Sequence, residues 1–330
     1  MRRIVVLLLL SSLFALALFG GQPRRNDDQT LAMRLQRDLA EMRAEIAANG
    51  WTFTVGPNAA MQYNLEDLCG YRPELAPASF VEHMPGEAGN VVDEAVAEAL
   101  PASYIGYISP IEDQGQCGSC WAFSTIGNLE CAVLKKNGAS QGQVNPDGSI
   151  TVSGHSPEPD YSEQQVVSCN PWNWGCNGGN IAYDMLMPTH TGTGYYPGAM
   201  PEACFPYVAA NASCSYCPDP AWTPVTNWSY LTSDTTIPSV TAIKNAIYTY
   251  GSVSAYVYAD RFFQAYTGGV FNSKKKYRRT NHAIVLVGWD DAKGAWLLKN
   301  SWGPNWGING FMWISYTSSR VGEGAAWVTD

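Results

Sequence analysis

Charge is scarce in this sequence. Lys, Arg, Asp and Glu make up 15% of the residues, against about a quarter in ordinary soluble domains. What charge there is leans acidic, with a formal net charge of −9, which argues against a nucleic-acid partner. Histidine is scarcer still. The chain has 4, so any imidazole base or metal ligand must be His83, His155, His190 or His282. There is no internal repeat. After the first twenty residues no apolar run is long enough to cross a membrane. What is present suits a globular chain: 330 residues, 46% of them hydrophobic, with 12 Trp, 18 Tyr and 10 Phe. That is enough for one large domain or two modest ones.

The start of the chain reads as a targeting signal. Met1-Arg2-Arg3 is basic, Ile4 to Phe19 is apolar apart from Ser11 and Ser12, and Gly20-Gly21 offers small residues for cleavage. The run is short for a membrane span, so residues 1–21 are expected to be a signal peptide, with no stable membrane span elsewhere. Export would place the 9 cysteines in an oxidising compartment, where disulfides are favoured. An odd number leaves at least one thiol over.

Residues 22–99 differ from the rest. Leu31, Leu35, Leu39, Met42 and Ile46 recur at helical spacing, and Asn49-Gly50 is a stop signal. Trp51, Phe53 and Val55 alternate like a short strand. The acidic, Ala-rich GNVVDEAVAEAL closes the region. The expectation is a small helical appendage and linker, too poor in apolar residues to stand alone. Residues 100–330 form the main domain. There Ala122, Ile126, Leu129 and Val133 mark one helix face, and 138–160 is a loop rich in Gly, Ser, Pro and Asp with a hairpin at Asp147-Gly148. Ile243, Ile247 and Tyr250 suggest a helix ending at Gly251. VSAYVYA, Ala283 to Trp289, Ala295 to Lys299 and Phe311 to Ser315 read as strands. The expected class is α+β with two lobes, helical then strand-rich, and a cleft between them is the default place for a site.

QGQCGSCWAFS, residues 114–124, poses the chemical question. With Cys214-Ser-Tyr-Cys217, Cys117 and Cys120 could complete a four-cysteine zinc site. The pairs lie too far apart for a zinc ribbon, however, and an exported protein would have to keep four thiolates reduced. No metal is expected, and no cofactor. A redox CxxC needs a strand before it in a βαβ unit, and none is indicated. The third reading gives the cysteines different jobs. Ser119 would cap a helix whose first turn holds Cys120, where the helix dipole favours a thiolate nucleophile. Such a thiol needs an imidazole. His83 lies in the appendage, His155 and His190 lie in polar loops, and His282 alone opens a buried-looking strand, in TNHAIVLVGWD.

QGQCGSCWAFS, NHAIVLVGW and KNSWGPNWGINGF, in that order, resemble the papain-like cysteine peptidases, as do GCNGGN at 175–180 and YSEQQVVSCN at 161–170. The resemblance covers roughly residues 100–315. It implies a papain-like fold with a helical left lobe, an antiparallel β right lobe and the active-site cleft between. It also implies roles. Cys120 would be the nucleophile, His282 its thiolate–imidazolium partner and later general acid, and Asn300 the orienter of the imidazole. Gln114 and the Cys120 N–H would form the oxyanion hole. Trp302 would shield the Asn–His hydrogen bond. Gly118, Gly178 and Gly179 would line the substrate path, with Ile181 and Tyr256 in the pocket for the residue before the cleaved one. The same resemblance pairs Cys117 with Cys176 and Cys169 with Cys214, leaving Cys204 and Cys217 for a third bridge and Cys69 and Cys131 unassigned.

The sequence also departs from the family. His282 and Asn300 follow Cys120 at a longer interval than the family's roughly 130–150 residues. LPASYIGYISPIEDQGQ lacks the usual Asp-Trp-Arg, and the chain diverges after 315. The resulting expectation is a secreted or lysosome- or vacuole-like cysteine endopeptidase, monomeric, acting on proteins or peptides and sensitive to cystatin-like inhibitors. It would be made as a zymogen in which residues 22–99 act as an intramolecular inhibitor, released by acid and cleaved near Ala99 to Pro101. The alternatives are an exopeptidase or peptide ligase on the same scaffold, with the 138–160 insert intruding on the cleft, or a catalytically silent binding homologue. KKKYRR at 274–279 is expected to be a solvated loop or a basic rim.

Overall fold

The computed structural model describes residues 25–85, 100–218 and 220–330. The expected leader at 1–21 and the acidic linker up to Ala99 lie outside the described residues. Two compact units are distinguished, one running to Glu41 and one from Met42 to Asp330. Helix α1, Arg25–Asn49, belongs to both and stops where Gly50 takes a φ of 63°. Up to Glu41 its described side chains are mostly exposed, with an Arg37–Glu41 pair one turn apart. The expected stripe is real where it can be followed, since Leu39, Met42 and Ile46 are all buried.

The second unit is organised by a nine-stranded sheet in the order β1-β7-β10-β9-β8-β6-β11-β5, with β2 against β8. These strands are β1 Thr52–Val55, β2 Ser103–Ile105, β5 Asn227–Tyr230, β6 Val253–Val257, β7 Tyr266–Phe271, β8 His282–Asp290, β9 Ala295–Lys299, β10 Phe311–Ser315 and β11 Glu323–Thr329. The four strands read from apolar runs are present. β2, β5, β7 and β11 were not legible, being short, glycine-bearing or polar in sequence. The sheet is not purely antiparallel, because β10 runs parallel to β7. The hairpin expected at Asp147-Gly148 forms from β3, Gln143–Val144, and β4, Ile150–Thr151. It packs through Ile150 into a cluster with Ile108 and Cys131. Cys131 lies about three turns along the helix from Cys120, so this end of the insert sits away from the thiol.

Strand β1 alters the view of residues 22–99 as an appendage. It pairs antiparallel with β7 and so extends the main sheet. Its alternation decides the matter: Phe53 and Val55 are buried while Thr52 and Thr54 face water. The Phe53 ring lies 4.5 Å from that of Phe271 in a tilted arrangement, and Trp51 meets Phe262 edge-on at 5.4 Å. Charge reinforces this anchor. Glu45 pairs with Arg261 at 2.8 Å and with Lys275 at 2.9 Å. Lys275 also lies over the Phe262 ring. Lys275, the second residue of the KKKYRR run, is therefore tied down by an acidic partner and an aromatic face, while Lys274, Lys276, Arg278 and Arg279 stay exposed as expected of a solvated loop.

Helix α3, Cys120–Lys136, runs through the middle. The sequence suggested one apolar face, but every residue from Cys120 to Leu134 is buried. The helix contacts β8, β6 and β11, and also the short helix α4, Glu163–Cys169. Its polar residues are satisfied internally: Ser124 Oγ donates to the Ile284 carbonyl at 2.8 Å, and Asn128 meets Tyr183 and Ser252. A helix enclosed on all sides needs such partners, since an unpaired buried polar group is costly.

Candidate active site

Cys120 is the first residue of α3, and its thiol is fully buried. Ser119 holds the N-cap position, but its hydroxyl is hydrogen-bonded to Tyr207 Oη at 2.6 Å and caps nothing. Two backbone N–H groups donate to Cys120 Sγ, Gly70 at 3.3 Å and Ala283 at 3.4 Å. Ala283 follows His282 at the start of β8, so the strand brings thiol and imidazole to one place.

His282 Nε2 lies 2.8 Å from Asn300 Oδ1. A carbonyl oxygen only accepts, so Nε2 carries the hydrogen. That leaves Nδ1 as the basic nitrogen, buried and without a partner among the described residues. The Trp302 ring lies 4.7 Å from the imidazole, and Phe263 meets it edge-on at 6.0 Å, so aromatic walls keep water from the His–Asn bond. Gln114 is fixed at both ends of its amide. Oε1 accepts from Ser301 Oγ at 2.6 Å, while Nε2 donates to the carbonyls of Cys117 at 2.7 Å and Leu68 at 3.1 Å.

Leu68 ends the short helix α2, Leu65–Leu68, and Gly70 lies in the stretch that follows it. This stretch covers the thiol. Gly179 N–H donates to the Gly70 carbonyl at 2.9 Å, and Arg72 N–H donates to the Gly179 carbonyl at 3.0 Å, a parallel bridge centred on Tyr71. Tyr71 N–H donates to the Asn281 carbonyl at 3.1 Å. The Tyr71 ring stacks 3.5 Å from Tyr256, in one buried cluster with Ile181. Side chains are excluded at the crossing. A Cβ on Gly70 would stand 1.7 Å from the Gly118 carbonyl oxygen, and one on Gly179 would stand 2.6 Å from the Trp121 ring. Gly178, at φ 117°, makes the turn that presents Gly179.

Burial governs the electrostatics. It lowers the His282 imidazole to about 4, against the opposing pull of Asn300 and the Leu68 backbone. It raises the Cys120 thiol, against the Ala283 and Gly70 N–H groups. With the stretch in place burial disfavours the charged form of both groups, working against the thiolate that a helix N-terminus favours.

A family model described as "Papain family cysteine protease" matches residues 101–326. The chain belongs to this family. It is 31% identical over 271 residues to a cathepsin L-like proteinase of Fasciola hepatica, covering 79% of this chain and 73% of that one. It is 32% identical to a pro-cathepsin H of Bos taurus, over 66% of this chain and 59% of that relative, so the match spans less than two thirds of the latter. Among solved structures, a digestive procathepsin L2 proteinase from the larval midgut of Tenebrio molitor matches with a TM-score of 0.74 and 26% identity, covering 94% of this chain and 96% of that one.

This papain-family peptidase holds the two bridges that the family resemblance implied, Cys117–Cys176 and Cys169–Cys214, and the third expected between the remaining pair, Cys204–Cys217. The first joins the residue before Gly118 to the GCNGGN loop, where Gly118 N–H also donates to the Cys176 carbonyl at 2.9 Å. Cys69, Cys120 and Cys131 are free and buried. Among the described residues no cluster of His, Cys, Asp or Glu is arranged to hold a metal, and no helix is long and apolar enough to cross a membrane. Sequence reasoning missed Leu68, Gly70 and Tyr71 over the thiol, and Ser301 behind Gln114. The available signal was Gly70, the one residue of Leu68-Cys69-Gly70-Tyr71 that permits a close backbone approach.

Proposed function

We propose that this papain-family peptidase is an endopeptidase made as an autoinhibited zymogen, in which Cys120, His282, Asn300 and Gln114 are the catalytic group and residues 22–99 the removable inhibitor. Once residues 68–72 leave, water and substrate enter the cleft, and the desolvation that disfavours charge on the pair is relieved. The Cys120 proton passes to His282 Nδ1, the nitrogen left basic by the Asn300 contact. The thiolate attacks the scissile carbonyl. Gln114 Nε2 and the Cys120 N–H stabilise the oxyanion. His282 returns the proton to the leaving amine, and water then hydrolyses the acyl-enzyme.

The observation that carries this reading is the Leu68 carbonyl on Gln114 Nε2, beside Gly70 on Cys120 Sγ. The chain lays one of its own carbonyls on the donor intended for a substrate carbonyl. Three disulfides support an oxidising compartment, whether secreted or lysosome-like.

The test is mutagenesis of the chain freed of its segment. Cys120→Ala and His282→Ala should each cost at least about a thousandfold in kcat/KM, because the groups act as a unit. Asn300→Ala should cost less, roughly ten- to a hundredfold, since it orients the base and carries no proton itself. Full activity in Cys120→Ala would overturn the assignment.

A further inference from the structure

Beyond the catalytic group, one buried carboxylate has an unusual partner. Asp184 lies in the 3-10 turn Tyr183–Leu186, just after the GCNGGN loop, and its side chain is 2% exposed. Its Oδ1 accepts from Trp228 Nε1 at 2.7 Å and pairs with His83 Nε2 at 2.9 Å. The other ring nitrogen of His83, Nδ1, lies 3.2 Å from the Trp228 carbonyl oxygen. Both nitrogens thus face oxygens that only accept, and only the imidazolium can donate to both. The ring lies flat on Trp228, centroids 4.0 Å apart. Beside it, Phe80 is enclosed by Trp172, Trp228 and Tyr230. Tyr71 and Tyr256 belong to the same buried apolar cluster as Phe80 and Trp228.

We propose that Asp184 and Trp228 form a substrate subsite for a planar cation, the side chain of an Arg or protonated His several residues from the scissile bond on the Gly179 side, which His83 occupies in the intact chain. This rests on the reading of residues 22–99 as removable. When His83 departs, Asp184 keeps the indole N–H and loses its cation, and a buried carboxylate without a partner is costly. A guanidinium restores both interactions, stacking on the indole and donating to the carboxylate. Lysine can pair but cannot stack as a plane.

The test uses the mature enzyme on two peptide sets. Short peptides end before the subsite. Long peptides carry Arg, Lys or the neutral isostere citrulline at each position on that side. At one position Arg should exceed citrulline by roughly tenfold in kcat/KM, with Lys between them. In Asp184→Asn the Arg-to-citrulline ratio should fall to about one. Equal cleavage of Arg and citrulline peptides at every position, or a ratio unchanged in Asp184→Asn, would overturn the subsite. Cleavage of short peptides without any Arg preference removes the subsite alone. No cleavage of either set overturns the peptidase reading with it.

A different observation carries a second inference. Cys69 is free and 3% exposed, and the next N–H, that of Gly70, donates to Cys120 Sγ at 3.3 Å. In a trans peptide the N–H and the preceding Cα lie on the same side of the C–N bond. Cys69 Cα therefore lies roughly 4–5 Å from Cys120 Sγ, close enough for the two side chains to meet. The geometry points to a Cys69–Cys120 disulfide that locks the segment covalently. A low-molecular-weight disulfide is the oxidant. The two protein thiols lose two electrons and two protons and form one S–S bond, and the small disulfide is reduced to two thiols. Excess thiol reverses the exchange.

Treat the intact chain with glutathione disulfide and map its cysteines without reduction. A peptide linking Cys69 to Cys120, with acid activation that then requires dithiothreitol, is expected. In Cys69→Ser, where residues 68–72 still cover the thiol, the same treatment should leave Cys120 unlinked and acid activation independent of dithiothreitol. Glutathione on Cys120 with Cys69 free in the unmutated chain would overturn the lock.

Discussion

Residues 42–85 meet the rest of the protease in two ways. At β1 the chain joins the sheet as an edge strand, burying Phe53 against Phe271 and Trp51 against Phe262. At residues 68–72 it crosses the cleft with little side chain, held by backbone hydrogen bonds to Gly179 and Asn281. The first contact is apolar and tolerant of small shifts, while the second is set by a glycine-to-glycine crossing with no room for a methyl group. Anchoring and covering thus fall to different residues: β1 joins the sheet, and residues 68–72 lie over the thiol.

That comparison can be broken from either side. The largest effect is expected from Phe53→Ala, since truncating a buried Phe costs about 3–5 kcal/mol. Hydrogen exchange at β1 should rise, and the intact chain should gain activity near neutral pH, because loss of the anchor frees the cleft as well. Gly70→Ala should act more locally. The added methyl overlaps the Gly118 carbonyl, and overpacking of this kind costs about 1–3 kcal/mol, raising Cys120 alkylation in the intact chain by roughly one to two orders of magnitude. Protection at β1 should remain. If Gly70→Ala also unprotected β1, holding and covering would be a single cooperative contact.

The smallest effect concerns charge. Lys275, then Arg261, hold the Glu45 carboxyl below its ordinary value. That contribution is present above the carboxylate's free pKa and is lost as pH falls through the lowered one. His83 behaves oppositely. Burial works against its charge, but the Asp184 hydrogen bond and charge raise it above the ordinary imidazole value. Its contribution is complete below about 6.5 and is lost as pH rises through the raised pKa. Acid therefore strengthens one pair and weakens the other, so the general acid-loosening expected from the sequence applies to Glu45 and is opposed at His83. Glu45→Gln should reduce segment retention at pH 6 by roughly two- to fivefold, each of its two exposed pairs being worth about 0.2–0.5 kcal/mol. It should also flatten the acid limb of an activation profile. An unchanged profile would remove Glu45 from the account.

Much of the site was legible because its residue types are chemically constrained. A thiol at a helix start and a histidine opening an apolar strand stand out in a chain with so few histidines. Strands rich in Val, Leu and Ile announced themselves, whereas β7 did not, because Gly268 and Gly269 break its pattern and it owes its place to neighbours on both sides. Helix α3 misled for the opposite reason. Only the face of Ala122, Ile126, Leu129 and Val133 was read from the spacing, and the surrounding partners show that Ser124, Thr125 and Asn128 are buried as well. The contacts of His83 were illegible, since its acceptors, Asp184 and the Trp228 carbonyl, are more than a hundred residues away in sequence and nothing local marks them.

The central claim is that residues 68–72 cover an otherwise competent thiol. Alkylation of Cys120 by iodoacetamide, mapped by mass at neutral pH before and after cleavage of the chain between residues 85 and 101, tests it directly. The account predicts slow labelling in the intact chain, rapid labelling after cleavage with release of the segment, and peptidase activity appearing in parallel and abolished by the label. Equal labelling rates, with full activity in the intact chain, would contradict it.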